Sequence, residues 1–252
     1  MKPGFSTHVA DFIGEVVIDN PPVNALDSAG WNGLAAAIDA LMADDAVRVL
    51  IIRAEGRGFC AGVNIKELAE HPDRIIAVNK GNYETFRAIH RGFKPVIAAV
   101  HGFVLGGGIG ICGAADIIVA APDARFGVPE VDRGALGAGA HLARMFPEQK
   151  VRYMYFTGES IDAAEAHRLG AVERVVPREQ LRETALEIAR MIARKSPAVM
   201  KLAKEALNGT EPGDLEHDYR WEQGFTAQAY LTAESAETRR AFVEKREVKF
   251  DK

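Results

Sequence analysis

The sequence predicts an α/β fold with a helical C-terminal part, and three observations carry that prediction. Short runs that are apolar on both faces, at residues 47–52, 95–100 and 117–120, read as strands covered by helices on each side. Segments with apolar residues at helical spacing alternate with those runs, which is the pattern of an α/β core. From Leu142 to the end the helical spacing alone remains, so that region is expected to be all helix.

Residues 6–19 alternate apolar and polar around Gly14 and predict two short strands joined by a turn. Asn20-Pro21-Pro22-Val23-Asn24 is a stiff extended loop, because each proline fixes φ and biases its predecessor away from helix. Asp27 or Ser28 can cap the next helix, whose apolar stripe is Trp31, Leu34, Ile38 and Leu41. After the strand at 47–52 a glycine-rich turn, Gly56-Arg57-Gly58-Phe59-Cys60-Ala61-Gly62, runs into Val63-Asn64-Ile65-Lys66. A longer helix is expected over residues 72–93, and residues 124–134 form a turn-rich loop. Later helices start near Glu148, Asp162, Arg178, Pro197 and Gly213. Past residue 195 the chain reads as a small separate module suited to an oligomer contact, which divides it into 1–195 and 196–252.

The 252 residues are 48% apolar with a formal charge of -4, enough for a substantial core. Charges of both signs are mixed, which leaves no basic face for nucleic acid or an anionic membrane. No apolar run approaches the roughly 18 residues of a membrane span. Lys2, Pro3, His8 and Asp11 interrupt any secretory apolar region. Cys60 and Cys112 are too few for a disulfide framework. A cytoplasmic protein is expected.

The stretch from 101 to 116 stands out. Gly106, Gly107 and Gly108 in a row, with Gly110 and Gly113 close behind, make a poor helix unless something must lie against the backbone. Placed after a strand and opening a helix, they predict free amide N–H groups aimed at a ligand oxygen.

Together these motifs resemble the crotonase, or enoyl-CoA hydratase/isomerase, superfamily. The matching stretches are Pro22-Val23-Asn24-Ala25-Leu26, residues 58–67, residues 102–116, Phe126-Gly127-Val128-Pro129-Glu130 and residues 241–246. They follow the family's order and spacing, and the likeness covers nearly the whole chain. It implies a crotonase-like spiral of ββα units with a helical C-terminal oligomerisation region, assembled as homo-trimers or as hexamers made of two trimers. It also implies an acyl-coenzyme A thioester as substrate, no metal and no separate cofactor. By motif, the backbone amides of Val63 and Gly107 form an oxyanion hole, and Glu130 is the catalytic acid/base. The coenzyme A handle falls to Val23, Ala61, Val63, Asn64, Ile65, Lys66 and Gly107. Phe242 and Lys245 match a tail that reaches the nucleotide end.

One departure bears on the reaction. Hydratases that resemble this chain carry a second glutamate where Gly110 stands, and glycine transfers no proton. Three reactions remain open: a C–C hydrolase opening a cyclic β-dicarbonyl, a Δ3,Δ2-enoyl-CoA isomerase, and a hydratase with a replacement acid. Residues 129–137, with His141 and Glu222-Gln223-Gly224-Phe225-Thr226, are similar to an actinobacterial hydrolase that opens the last ring of a steroid-derived acyl-CoA. That likeness favours the hydrolase. Asp132 and His141 are auxiliary candidates, His141 as a general base. A family member without activity, serving as a binding or scaffold subunit, is the reading from another class; the presence of Glu130 and both glycine turns argues against it.

Overall fold

The computed structural model describes residues 4–250. The chain opens with a hairpin of β1 (Phe5–Ala10) and β2 (Ile13–Ile18), as the alternation predicted. Next come α1 (Ser28–Ala43), capped by the Asp27 side chain on Gly30 N, and β3 (Val49–Ala54). A short α2 (Ile65–Glu70) precedes α3 (Ile75–Arg91). β4 (Val96–Val100), β5 (Phe103–Leu105), α4 (Gly107–Ala114) and β6 (Ile117–Ala120) follow. β7 (Arg125–Gly127) and a 3-10 turn at Pro129–Arg133 occupy the segment expected to be loop. The remainder is α5 (Gly139–Met145), α6 (Glu148–Thr157), β8 (Ile161–Asp162), α7 (Ala163–Arg168), β9 (Arg174–Val175) and α8 (Arg178–Ala193). α9 (Pro197–Thr210), α10 (Leu215–Ala229) and α11 (Ala233–Glu244) close the chain.

The main sheet has the order β1-β2-β3-β4-β6-β9 and is parallel from β2 onward. Its inner strands β3, β4 and β6 are largely apolar on both faces because each face has its own cover. On one side Val16, Ile18, Leu50, Ile52, Ala98 and Val100 pack with Trp31 of α1 and Phe86 of α3. On the other, Ile13, Val49, Ile51, Ile97 and Ala99 pack under Leu181, Ala185 and Ile188 of α8.

A second sheet, β5-β7-β8, branches off the first. The sequence pointed to a helix directly after β4, but β5 intervenes. Gly102 makes the detour possible, with φ of 57° and a Cβ position only 2.8 Å from Gly58 Cα. Strand, short strand and helix (β4, β5, α4) form one turn of the spiral that the family resemblance implied.

The helices beyond residue 195 pack on the same core as the rest. Tyr219 of α10 belongs to the cluster that holds Trp31 and Phe86. Lys204 of α9 is buried and donates to Ile89 O at 2.7 Å, Lys94 O at 3.0 Å and Asp116 Oδ2 at 2.8 Å. The last strand of the main sheet, β9, ends at Val175, and the helices past residue 195 add Tyr219 and Lys204 to the packing around it. Among the described residues no helix is long and apolar enough to cross a membrane.

Candidate active site

The proline-rich loop after β2 fixes the first glycine turn. Asn24 is buried and donates from Nδ2 to Glu55 O and to Gly58 O, each at 2.8 Å, while its Oδ1 accepts from Asn20 N at 2.7 Å. Leu26 then brackets Val63: Leu26 N donates to Gly62 O at 3.0 Å, and Asn64 N donates to Leu26 O at 2.8 Å. Those two bonds turn the Val63 N–H away from Leu26, and it has no acceptor among the described residues. Asn64 caps α2 through Lys66 N at 3.1 Å. Glu67 of α2 accepts from Ser28 N at 2.8 Å and Ser28 Oγ at 2.7 Å, tying this turn to the start of α1.

The second glycine turn lies against the first. Gly107 is the first residue of α4, so its N–H has no intrahelical partner. At Gly62, with φ of 86°, a Cβ would stand 3.2 Å from Gly107 N. The two glycine turns are therefore in contact, and Val63 and Gly107 line the same cavity. Gly106 has φ of 52°, and a Cβ there would overlap Glu130 Oε1.

Glu130 sits on the 3-10 turn, between Gly106 and Gly137. Its Oε2 is shut off from solvent and has no hydrogen-bond partner among the described residues. Burial raises the carboxyl to about 7, the nearby Arg133 opposes that shift, and the charge of Glu222 adds to it. A carboxylate that changes state near neutrality and lacks a partner can take up and return a proton.

Val63, Gly107 and Glu130 line one cavity of about 50 Å³, closed by Val78, Asn82 and Phe86 of α3, by Tyr219 and Glu222 of α10 and by Tyr230 just past its end. Asn82 Oδ1 is also buried without a partner. Pockets for drug-sized ligands measure roughly 300–1,000 Å³, so this cavity is small beside them. A larger groove of about 780 Å³, lined by His90, Arg144, Met191, Glu211 and Asp218, contains neither glycine turn nor Glu130. Its size does not make it the site, since it lacks the paired amides.

The other residues named from sequence lie elsewhere. His141 is buried in an aromatic cluster behind the cavity wall, with ring centroids 4.7 Å from both Phe86 and Tyr219, which line the cavity. Burial lowers it to about 3, so the imidazole is uncharged at neutral pH, and its Nδ1 has no hydrogen-bond partner among the described residues. Asp132 is exposed and lies against Gly158, where a Cβ would stand 3.2 Å from its Cγ. Ala61 N donates to Val23 O at 3.2 Å, while Ile65 and Lys66 open α2, with Lys66 exposed. α11 packs on α2 and on the turn that carries Glu130. There the Arg133 guanidinium lies 4.9 Å from the Phe242 ring centre, and Lys245 ends the helix with φ of 55°.

Two residues carry weight that sequence reasoning did not assign. The first is Phe86, whose ring fills the space beside Gly110: a Cβ there would lie 2.6 Å from Phe86 Cε1. Nothing in the spacing of α3 singles out Phe86 from its other core residues. Gly110→Glu is therefore expected to lower stability by roughly 3 kcal/mol or more and to confer no hydration of crotonyl-CoA. Denaturant melts and a hydratase assay check this; a stable variant that hydrates crotonyl-CoA would contradict it. The second residue is Glu222, which reaches the cavity from α10.

A spiral of ββα units with two facing amides and a buried carboxylate defines a crotonase-type site, and the comparisons agree. Residues 9–252 match the family described as Enoyl-CoA hydratase/isomerase. The chain is 48% identical to the (7aS)-7a-methyl-1,5-dioxo-2,3,5,6,7,7a-hexahydro-1H-indene-carboxyl-CoA hydrolase of Mycobacterium tuberculosis, covering 96% of this chain and 99% of that one. The hydrolase of the same name from Rhodococcus jostii is 47% identical, covering 95% and 93%. An enoyl-CoA hydratase/isomerase from Xanthobacter autotrophicus superposes with a TM-score of 0.87 at 28% identity, covering 96% and 91%. The chain belongs to the enoyl-CoA hydratase/isomerase family.

Proposed function

We propose that the chain is a coenzyme A-dependent C–C hydrolase that opens a cyclic β-dicarbonyl acyl-CoA, such as arises from steroid rings. One observation carries the reading: the place of a second hydratase acid is taken by Gly110 with Phe86 against it, while Glu130 and both amides remain. The two relatives named as dioxo-indene-carboxyl-CoA hydrolases support it. So does the unpartnered Asn82 Oδ1 in the cavity wall, which suits an acyl group bearing polar atoms better than an alkyl chain.

The steps balance with one carboxylate. Ionised Glu130 takes a proton from water, and the hydroxide adds to the ring ketone. Collapse of that adduct breaks the bond to the carbon next to the thioester. The electron pair moves onto the thioester oxygen as an enolate, held by the Val63 and Gly107 amides. Glu130 returns the proton to the α carbon, so water's OH ends in a carboxyl group and its H on carbon. No redox agent or metal is needed for this balance. Val23, Ala61, Asn64, Ile65 and Lys66 would carry the coenzyme A handle, with Phe242 and Lys245 toward its nucleotide end. Assembly as trimers or hexamers belongs to the same reading; the exposed Trp221 and Phe225 of α10 and Phe156 of α6 offer apolar surface for it.

Turnover of the coenzyme A thioester of a 2-oxocycloalkane carboxylic acid, read as loss of its enol absorbance, is the test. Efficient ring opening with little hydration of crotonyl-CoA is expected. Preference for crotonyl-CoA would overturn the reading.

A further inference from the structure

Glu222 is half-buried on α10, and each hydrogen bond to its carboxylate among the described residues comes from a neutral donor. Oε1 accepts from Gly139 N and from the Tyr155 hydroxyl, both at 2.8 Å, and Oε2 accepts from Ala140 N at 3.0 Å. Burial pushes its pKa up, and these three donors pull it back. With donors and no acceptor around it, the ionised form is the one the geometry satisfies.

The same short turn touches both acids. Gly139 and Ala140 open α5 directly after Ala138, a non-glycine residue held at φ of 58°, a conformation that needs support from its surroundings. On the other side of Ala138, a Cβ at Gly137 would lie 3.4 Å from Glu130 Cγ. Both carboxylates line one cavity.

We propose that Glu222 is a positioning residue for Glu130: it clamps the turn at 136–140 that seats Glu130 and sets a negative charge across the cavity from it. The proposal rests on Glu130 as proton carrier but not on hydrolysis. Glu130 is faced by Arg133 on its own turn, Cys60 in the first glycine turn, Tyr155 on α6, Tyr219 and Glu222 on α10, and Tyr230 just past its end. Burial holds Cys60 and Tyr230 near about 12 and raises both other tyrosines, so all four stay neutral at physiological pH. Arg133 and Glu222 are then the charges that act on Glu130.

Deuterium exchange at the α carbon of cyclohexanecarboxyl-CoA in heavy water tests this. That thioester has no ring carbonyl to hydrolyse, so the exchange reads Glu222 even where the hydrolase reading fails. Glu222→Gln is expected to lower kcat for exchange by about 100-fold with little change in KM. Removing the negative charge favours ionised Glu130, so the acidic limb of the rate–pH profile moves to lower pH. Tyr155→Phe, which keeps both backbone contacts, moves the limb the same way by less, and it decides the matter if Glu222→Gln does not fold. An unmoved limb in the variants that fold, or a fully active Tyr155→Phe, overturns the proposal.

Discussion

Glu130→Gln is expected to lower kcat by about 100- to 10,000-fold while acyl-CoA affinity stays within a few fold. Glutamine keeps the volume of the side chain beside Gly106 and Gly137 but cannot accept a proton and return it. Because burial sets Glu130 near about 7, kcat/KM of the natural chain should rise with pH through that value and level off above it. Stability runs the other way. The folded-state pKa lies above the ordinary 4.5, so the fold holds the proton that the unfolded chain releases. Stability contributed by the protonated group is present below 4.5 and lost as pH rises toward about 7. Glutamine carries no such loss, so the variant should melt higher than the natural chain at about pH 8 and level with it near pH 4. Thermal melts at both pH values, with steady-state rates, check the pair of effects. A Gln variant that keeps a tenth of its turnover would remove Glu130 from the chemistry.

Exchanging the Val63 N–H for an ester oxygen, by incorporating the α-hydroxy analogue of valine, should lower kcat by about 100- to 1,000-fold. Side-chain substitution cannot ask this question, since the donor is backbone. Val63 is the better place to ask it, because its N–H gives no hydrogen bond to the described residues while Leu26 holds its neighbours on either side. At Gly107, by contrast, any Cβ would lie 2.7 Å from Trp31 Cη2, so a proline there would confuse a lost donor with a clash. The ester variant should fold and bind normally, with the loss confined to kcat, because an enolate oxygen draws on the donor more than a ground-state carbonyl does. Unchanged turnover would place the thioester oxygen elsewhere.

Much of the fold was legible because burial on two faces leaves a local mark. β3, β4 and β6 are continuous apolar runs, and α1 and α8 carry their stripes at helical spacing. β5, β8 and β9 span two or three residues each, too few for a period to show. The glycine turns were legible as places of close approach, and their motifs pointed to Val63, Gly107 and Glu130. What the motifs could not carry was direction. His141 does stand near the start of α5, yet its ring faces Phe86 and Tyr219 and not the cavity. The gap at Gly110 was visible in the sequence, but Phe86 filling it was not, because that contact joins α3 to α4. Glu222 lies far along the chain from Glu130, and only the return of α10 across the core brings the two acids to one cavity.

Hydrolysis through an enolate is tested most directly by mass spectrometry of the product formed from a cyclic β-keto acyl-CoA in water carrying both oxygen-18 and deuterium. The expected product is ring-opened, with one heavy oxygen in the new carboxyl group and at least one deuterium on the carbon next to the thioester, whose own hydrogen also exchanges through the enol. Heavy oxygen in a hydroxyl on an intact ring, or deuterium without heavy oxygen, would contradict it.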